Sequence, residues 1–248
     1  MRFVRYSAGG HATHGILDGE TVIEISGPPT GGYVETGATA SLSSVQLLAP
    51  IQPGKILAMA VNYQSHTGGA PAPTRPEPFY KPPSSVIGPD APVIIPQDAG
   101  KVDEEGELVA VIGQRARNVS KESALDYVLG YTIGHDISAR EWQAGDKQWW
   151  RAKGSDTFSP IGPWIDTDVD PTGLDIRVTV NGEEVQHCHS SEMIFDTAYA
   201  ISDISKYVTL EPGDLLFTGT SGVTAQLQRG DVLVTSVQGI GELTNPIK

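Results

Sequence analysis

Glu105 and Glu107, two residues apart in VDEEGELVAVIG, are the first side chains whose spacing suits chemistry. On an extended strand, residues i and i+2 point to one face, so both carboxylates meet there. Two carboxylates on one face repel each other, and burying them is costly unless a cation neutralises them. A hard divalent ion does this directly, because it prefers oxygen ligands. The plainer reading is a solvated edge, with Asp103 and Glu104 next door, and for an isolated E-x-E pair it is the stronger one. A second set lies in GYTIGHDISAREWQ, where Asp136 follows a short apolar strand and a glycine. If the next residues coil, Arg140 and Gln143 fall on one helical face with Asp136. An anion, a cation and an amide together suit a metal ligand beside groups that hold a substrate carboxylate or carbonyl. A structural Asp136–Arg140 ion pair explains the same spacing equally well.

Three further positions are single residues. Lys153 in RAKGSDTFSPIGPW precedes a Gly-Ser-Asp turn and a stiff Pro-Ile-Gly-Pro run that would aim its ammonium, although a lone lysine is usually a solvated charge. His66 ends VNYQSH, just before a Gly/Pro-rich stretch. Thr220 follows the apolar run of LEPGDLLFTGTSG, in a turn able to present hydroxyl and backbone donors. That turn is not a G-x-S-x-G elbow, so a serine-hydrolase reading fails on spacing. His187-Cys188-His189 would splay to opposite faces of a hairpin strand and is assigned to structure. No P-loop, G-x-G-x-x-G or zinc-type Cys/His spacing occurs.

These residues need short strands to position them. Arg2–Tyr6 and Thr21–Ile25 read as strands of a small β-rich leader over residues 1–50, and residues 51–248 form the main body. Within it, Ile56–Val61, Glu107–Ile112, Tyr131–Ile133, Leu215–Thr218, Val232–Val237 and Gly241–Leu243 read as strands. Asn181-Gly182 marks a hairpin joining Ile176–Val180 to Glu184–Gln186. Helices are expected over Ser120–Val128, with Ser120 as N-cap, and over Ser191–Tyr207. Residues 67–78 carry too many Gly and Pro for a regular element, and read as a surface loop or a flap over a site.

The bulk composition agrees with such an architecture. A chain of 248 residues with 39% hydrophobic content buries a sizeable core, and 28 Gly with 18 Pro imply many turns. A net charge of -13 argues against a nucleic-acid partner, which needs clustered Lys and Arg. A single cysteine, Cys188, permits no intrachain disulfide. No apolar run is long enough to span a bilayer, and the N-terminus lacks the apolar core of a signal peptide, so no membrane partner and a cytoplasmic location are expected.

The ordered series NYQSH, FYKPPSSVIGP, EGELVAVIG, GYTIGHDISAREWQ, KGSDTFSPIGP, NGE…SSEMIFD, LEPGDLLFTGT and GIGELTNP resembles the fumarylacetoacetate hydrolase family over about residues 55–248. That family includes acylpyruvate hydrolases, oxaloacetate decarboxylases and tautomerases, and isomerase/decarboxylases of aromatic catabolism. The resemblance implies a mixed, predominantly β fold: a β-sandwich roll with a few short helices, a small N-terminal domain and, usually, a homodimer. It implies Mg²⁺ or Mn²⁺ (Ca²⁺ in some crystals) on Glu105, Glu107 and Asp136. His66, Lys153, Gln143 and Arg140 match the family's catalytic groups, and Tyr63, Arg140, Gln143, Lys153 and Thr220 its substrate contacts. Several hydrolase and decarboxylase members carry a Glu three residues after the histidine; here that position is Gly69. The segment SGVTAQLQRGD after Thr220 also departs from the family's usual Pro-Ala-Gly-Val-Gly form.

The expected activity is metal-dependent hydrolysis of a C–C bond in a small 2-oxo acid or 1,3-dicarbonyl compound. Isomerisation, tautomerisation or decarboxylation on the same site is the alternative, followed by a non-catalytic metal- or ligand-binding role. The ion would serve as Lewis acid, with Lys153 and Gln143 countering oxyanion charge and His66 moving the proton. Alanine at Asp136 is expected to abolish metal-dependent turnover and leave the fold intact.

Overall fold

In the computed structural model, which describes residues 1–248, the strand Gly106–Ile112 is buried on both faces. Leu108, Ala110 and Ile112 enter one apolar core, whereas Val109 and Val111 enter another. A run of apolar residues with no polar alternation is what such a central strand requires. It is flanked by Val128–His135 and Leu215–Phe217, both antiparallel to it. They belong to a twelve-stranded sheet that also takes in Ile56–Met59, Pro78–Lys81 and Ser159–Asp166.

The first core lies between this sheet, the helix Thr197–Ser205 and a four-stranded antiparallel sheet. The smaller sheet is built from Asp175–Val180, Glu183–His189, Val232–Val237 and Gly241–Pro246. Asn181-Gly182 forms the tight turn between its first two strands, with both residues at positive φ, as an Asn-Gly hairpin turn demands. The predominantly β class expected from the sequence is observed. The leader strands Arg2–Ala8, His11–Asp18, Thr21–Ile25 and Glu35–Ser41 form a meander. Its first strand continues the large sheet, pairing Arg2 with Asp166 and Phe3 with Ile165.

Two expected helices differ from their prediction. Residues 121–127 coil as a 3₁₀ helix, and Ser120 does not cap it: its hydroxyl meets that of Ser123 at 3.2 Å. The helix expected over Ser191–Tyr207 is confined to Thr197–Ser205. Residues 194 and 195 are diverted, because Ile194 N–H donates to the Asn62 carbonyl and Phe195 N–H to its Oδ1. Asp196 then caps the helix, accepting from Tyr199 N–H at 2.7 Å. No helix is long and apolar enough to cross a membrane.

His135, at the end of the central sheet's Val128–His135 strand, is fully buried and joined to Thr235 Oγ1 of the smaller sheet at 2.9 Å. Burial, slightly opposed by Asn245, pushes its imidazolium down to about 3 from an ordinary 6.5. Between those values the unfolded chain binds the extra proton and the folded one does not. Stability present above pH 6.5 is therefore lost as pH falls towards 3, by up to about 1.4 kcal/mol per pH unit. His135→Gln should flatten this part of the acid limb. Denaturant unfolding across that range, wild type against variant, checks it; identical slopes would show that His135 takes no part.

Candidate metal centre and active site

The ladder register explains how three carboxylates converge. Gly106 pairs with His135 and Glu107 with Gly134, and Asp136 N–H extends the ladder by donating to the Glu105 carbonyl at 2.8 Å. Cross-strand partners share a face, so Asp136 stands beside Glu105, on the same side as Glu107. One ligand oxygen from each lies within 4.8 Å of the others, and all three residues are buried. Gly106 between the glutamates is also required. A β-carbon there would overlap Val178 and Thr235 of the smaller sheet and force the layers apart.

Two buried lysines reach the triad. Lys153, carried by the turn after the helix Arg140–Gly145, bonds Asp136 Oδ2 at 2.7 Å and also Glu105 Oε2. Lys81, the last residue of the edge strand Pro78–Lys81, bonds Asp136 Oδ1 and the Phe158 carbonyl. Burial pulls Lys81 down, and Asp136 opposes it. For Lys153, Asp136 and Glu105 outweigh burial and raise it. Burial would raise Glu105, but Lys153 and Arg140 overcome it and hold its carboxyl low.

Glu107 is the exception. It accepts only the Gly219 N–H, at 2.6 Å, and no lysine or arginine pairs with it. Burial first, then the charges of Asp136 and Glu105, push its carboxyl well above the ordinary range. A buried carboxylate with no cation, beside two others, is a site with a deficit of positive charge. A hard divalent ion bound through oxygen removes that deficit, so these residues fit one. The Gly219 donor is available only because this residue is a glycine. Its φ is +96°, and a β-carbon would press on Asn62.

Arg140 does not pair with Asp136. Its guanidinium spans Asp103 at 2.9 Å, Glu105 at 2.7 Å, Thr224 Oγ1 at 2.8 Å and Gln143 Oε1 at 2.9 Å. The helix begins at Arg140, so Asp136 precedes it rather than sharing its face. Arg140 and Gln143 still meet, at i and i+3. His66 closes the site from the 3₁₀ turn Gln64–His66, with Nε2 3.8 Å from Glu105 Oε1. Thr220 is buried, with its hydroxyl 3.2 Å from both Gly106 O and Gln186 Oε1, which compete for its one proton. Tyr63 is wholly buried, its hydroxyl unpartnered and its pKa raised by burial and then by Cys188 and Glu107.

Of the nine residues singled out in the sequence, Lys153, Arg140 and His66 thus reach the triad, Gln143 joins it through Arg140, and Thr220 lies against Gly106 between the two glutamates. Tyr63 is buried nearby without a hydrogen bond to them. Sequence reasoning missed Lys81, Asp103 and the Gly219 N–H. Lys81 lay within the quoted FYKPPSSVIGP run, but a lysine before two prolines looks like an ordinary surface residue. Glu104 turns away from the triad. It is buried with Oε2 unpartnered and Oε1 accepting Ala225 N–H, and burial raises it to about 8, which favours the neutral carboxyl.

Two family models match the chain. Residues 55–248 fit the family described as fumarylacetoacetate (FAA) hydrolase C-terminal, and residues 1–50 fit the Rv2993c-like N-terminal family. The mitochondrial oxaloacetate tautomerase fahd2 of Xenopus laevis is 43% identical, covering 84% of this chain and 70% of its own. The 2,4-didehydro-3-deoxy-L-rhamnonate hydrolase of a Sphingomonas species is 37% identical over 97% of this chain and 94% of its own. The crystal structure of 2-hydroxyhepta-2,4-diene-1,7-dioate isomerase from Mycobacterium marinum superposes with a TM-score of 0.93 at 42% identity, covering 100% of this chain and 98% of that one. Members of this group thus include hydrolases, isomerases and a tautomerase, all compatible with the acidic centre described above. The chain belongs to the fumarylacetoacetate hydrolase family.

Proposed function

We propose that this protein is a divalent-metal enzyme that isomerises or tautomerises a small 2-oxo acid, with hydrolytic C–C cleavage as the second reading. The observation that carries the order is the surroundings of His66. The one carboxylate in ion-pairing range is Glu105, itself a candidate metal ligand, at 3.8 Å. Stripping a proton from water is helped by an acid that stabilises the imidazolium, and none is free to do so. Moving a proton within a bound substrate asks less of the base. Hydrolysis, placed first on sequence alone, is supported by the hydrolase relative that spans nearly the whole chain.

Glu105, Glu107 and Asp136 would hold Mg²⁺ or Mn²⁺, which supplies Lewis acidity when bound. Lys153 would counter negative charge developing on a substrate oxygen, and Gln143 would donate to it. Arg140, fixed by Asp103 and Glu105, would orient the substrate carboxylate. Thr220 and Tyr63 would be further substrate contacts. A turnover screen on oxaloacetate, acetylpyruvate and fumarylpyruvate, with Mg²⁺ or Mn²⁺ and with EDTA, is the test, with products resolved by NMR. EDTA-sensitive keto–enol exchange or isomerisation without cleavage is expected. Cleavage to two acids would replace the first reading by the second, and tight metal binding without turnover would overturn both.

The assembly is proposed to be a homodimer. The strand Pro78–Lys81 ends the large sheet, and a recess of about 950 Å³ beside it is lined by Tyr80, Trp150 and Ile94. Trp150 is 69% and Tyr80 56% exposed, a concentration of aromatic surface that suits an interface. Light scattering should give twice the chain mass, and Trp150→Glu should halve it; a monomeric wild type would exclude the dimer. The buried, free Cys188 accords with the reducing cytoplasm, where we place the protein.

A further inference from the structure

The chain's two site loops meet at one glycine. Ile56–Met59 and Leu215–Phe217 run parallel, so the segments that follow them emerge side by side. There, His66 Nδ1 lies 2.8 Å from the Gly222 carbonyl oxygen, and Gly222 N–H donates to Ser65 Oγ at 2.9 Å. Two consecutive side chains therefore hold both polar groups of one backbone residue. Gly222 adopts φ +62°, in the left-handed region that favours glycine. The turn before it is pinned as well: Gln186 donates to the Ser221 carbonyl, and Thr220 donates to Gly106 O.

A carbonyl oxygen only accepts. Nδ1 must then carry the proton, which leaves the Nε2 lone pair facing Glu105 and the substrate side. We propose that the Gly222 carbonyl is the orienting partner of His66, in the role a carboxylate fills in a histidine–acid pair, and that Ser65 is the positioning residue that holds this carbonyl in place. A neutral partner fixes the tautomer but adds no negative charge to favour the imidazolium. His66 is thereby set up to relay a proton rather than to activate water, an inference that deepens the reading of the reaction given above and rests on it for its catalytic consequence.

The test is ¹⁵N–¹H correlation spectroscopy of the Mg²⁺-loaded protein labelled at histidine, at a pH above the histidine range, with His66→Gln used to assign the signals. His66 should be a single Nδ1–H tautomer in the wild type and a mixture in Ser65→Ala. That variant should lose on the order of tenfold in kcat, with KM and Mg²⁺ affinity little changed, and Ser65→Thr should restore both signal and rate. Ser65 is exposed, so the fold is not at risk. An Nε2–H tautomer in the wild type, or full turnover in Ser65→Ala, would overturn the inference. The tautomer is read without substrate. Silence in the oxo-acid screen beside an Nδ1–H signal would therefore remove the proposed reaction and leave the clasp standing.

Discussion

Glu107→Gln is expected to lose the metal and keep its stability, whereas Asp136→Ala should lose the metal and weaken the fold. Both residues belong to the same triad, but their other partners differ. Asp136 accepts from Lys81 and Lys153, and its removal leaves Lys81 with only the Phe158 carbonyl. Breaking a buried ion pair from one side costs about 3–5 kcal/mol, a large part of the roughly 5–15 kcal/mol that keeps a domain folded. The sequence alone carried no sign of this cost, because it did not show that Asp136 pairs with two buried lysines. Glu107 has no cation to strand. Its carboxyl is already held towards the neutral form by burial and by Asp136 and Glu105, and an amide of the same shape keeps the acceptor for Gly219 N–H. Calorimetric titration with Mn²⁺ should show affinity falling by at least about 100-fold in Glu107→Gln, while the thermal midpoint of the metal-free protein is unchanged or raised. Undiminished Mn²⁺ binding would remove Glu107 from the metal centre; a sharply lowered midpoint would mean that its charge supports the fold.

Lys153→Met is expected to do the reverse, keeping the metal and losing the reaction. Lys153 bonds two of the three candidate ligands, so in the metal-free protein it competes with an arriving cation for the same oxygens. After substitution Glu105 keeps Arg140 and Asp136 keeps Lys81, so neither carboxylate is left bare. Mn²⁺ affinity should hold or rise. Turnover should fall on the order of 10²–10³-fold, the usual loss when one preorganised donor to a developing oxyanion is removed. Weaker Mn²⁺ binding with unchanged turnover per bound ion would make Lys153 a structural counter-charge and nothing more.

Much of this site was legible in the sequence because it is built on strand periodicity. Glu105 and Glu107 share a face by counting, and Asp136 followed a segment whose apolar content marked it as a buried strand. What counting could not supply was the register between those strands. Gly106 opposite His135 sets Asp136 beside Glu105; a slip of one residue would have turned it to the smaller sheet. Arg140 was found as a functional residue, but the helical face it was to share with Asp136 does not exist, because Ser138 and Ala139 pair with Asp103 and Val102 instead. Lys81, the Gly219 N–H and the Gly222 carbonyl were out of reach for another reason. Each acts through long-range contact, and two of them are backbone groups, which carry no residue-type signature.

The parallel pairing of Ile56–Met59 with Leu215–Phe217 separates what can diverge from what cannot. The candidate cation ligands are locked into an antiparallel ladder, where insertion of one residue would scatter them. The histidine and the hydroxyl-bearing turn hang from strand ends, where a change of length costs less than inside that ladder. Descendants of one ancestral scaffold can therefore exchange the chemistry performed at the rim while inheriting an unaltered floor. A group whose members are named hydrolase, isomerase and tautomerase is what such a division of labour would produce.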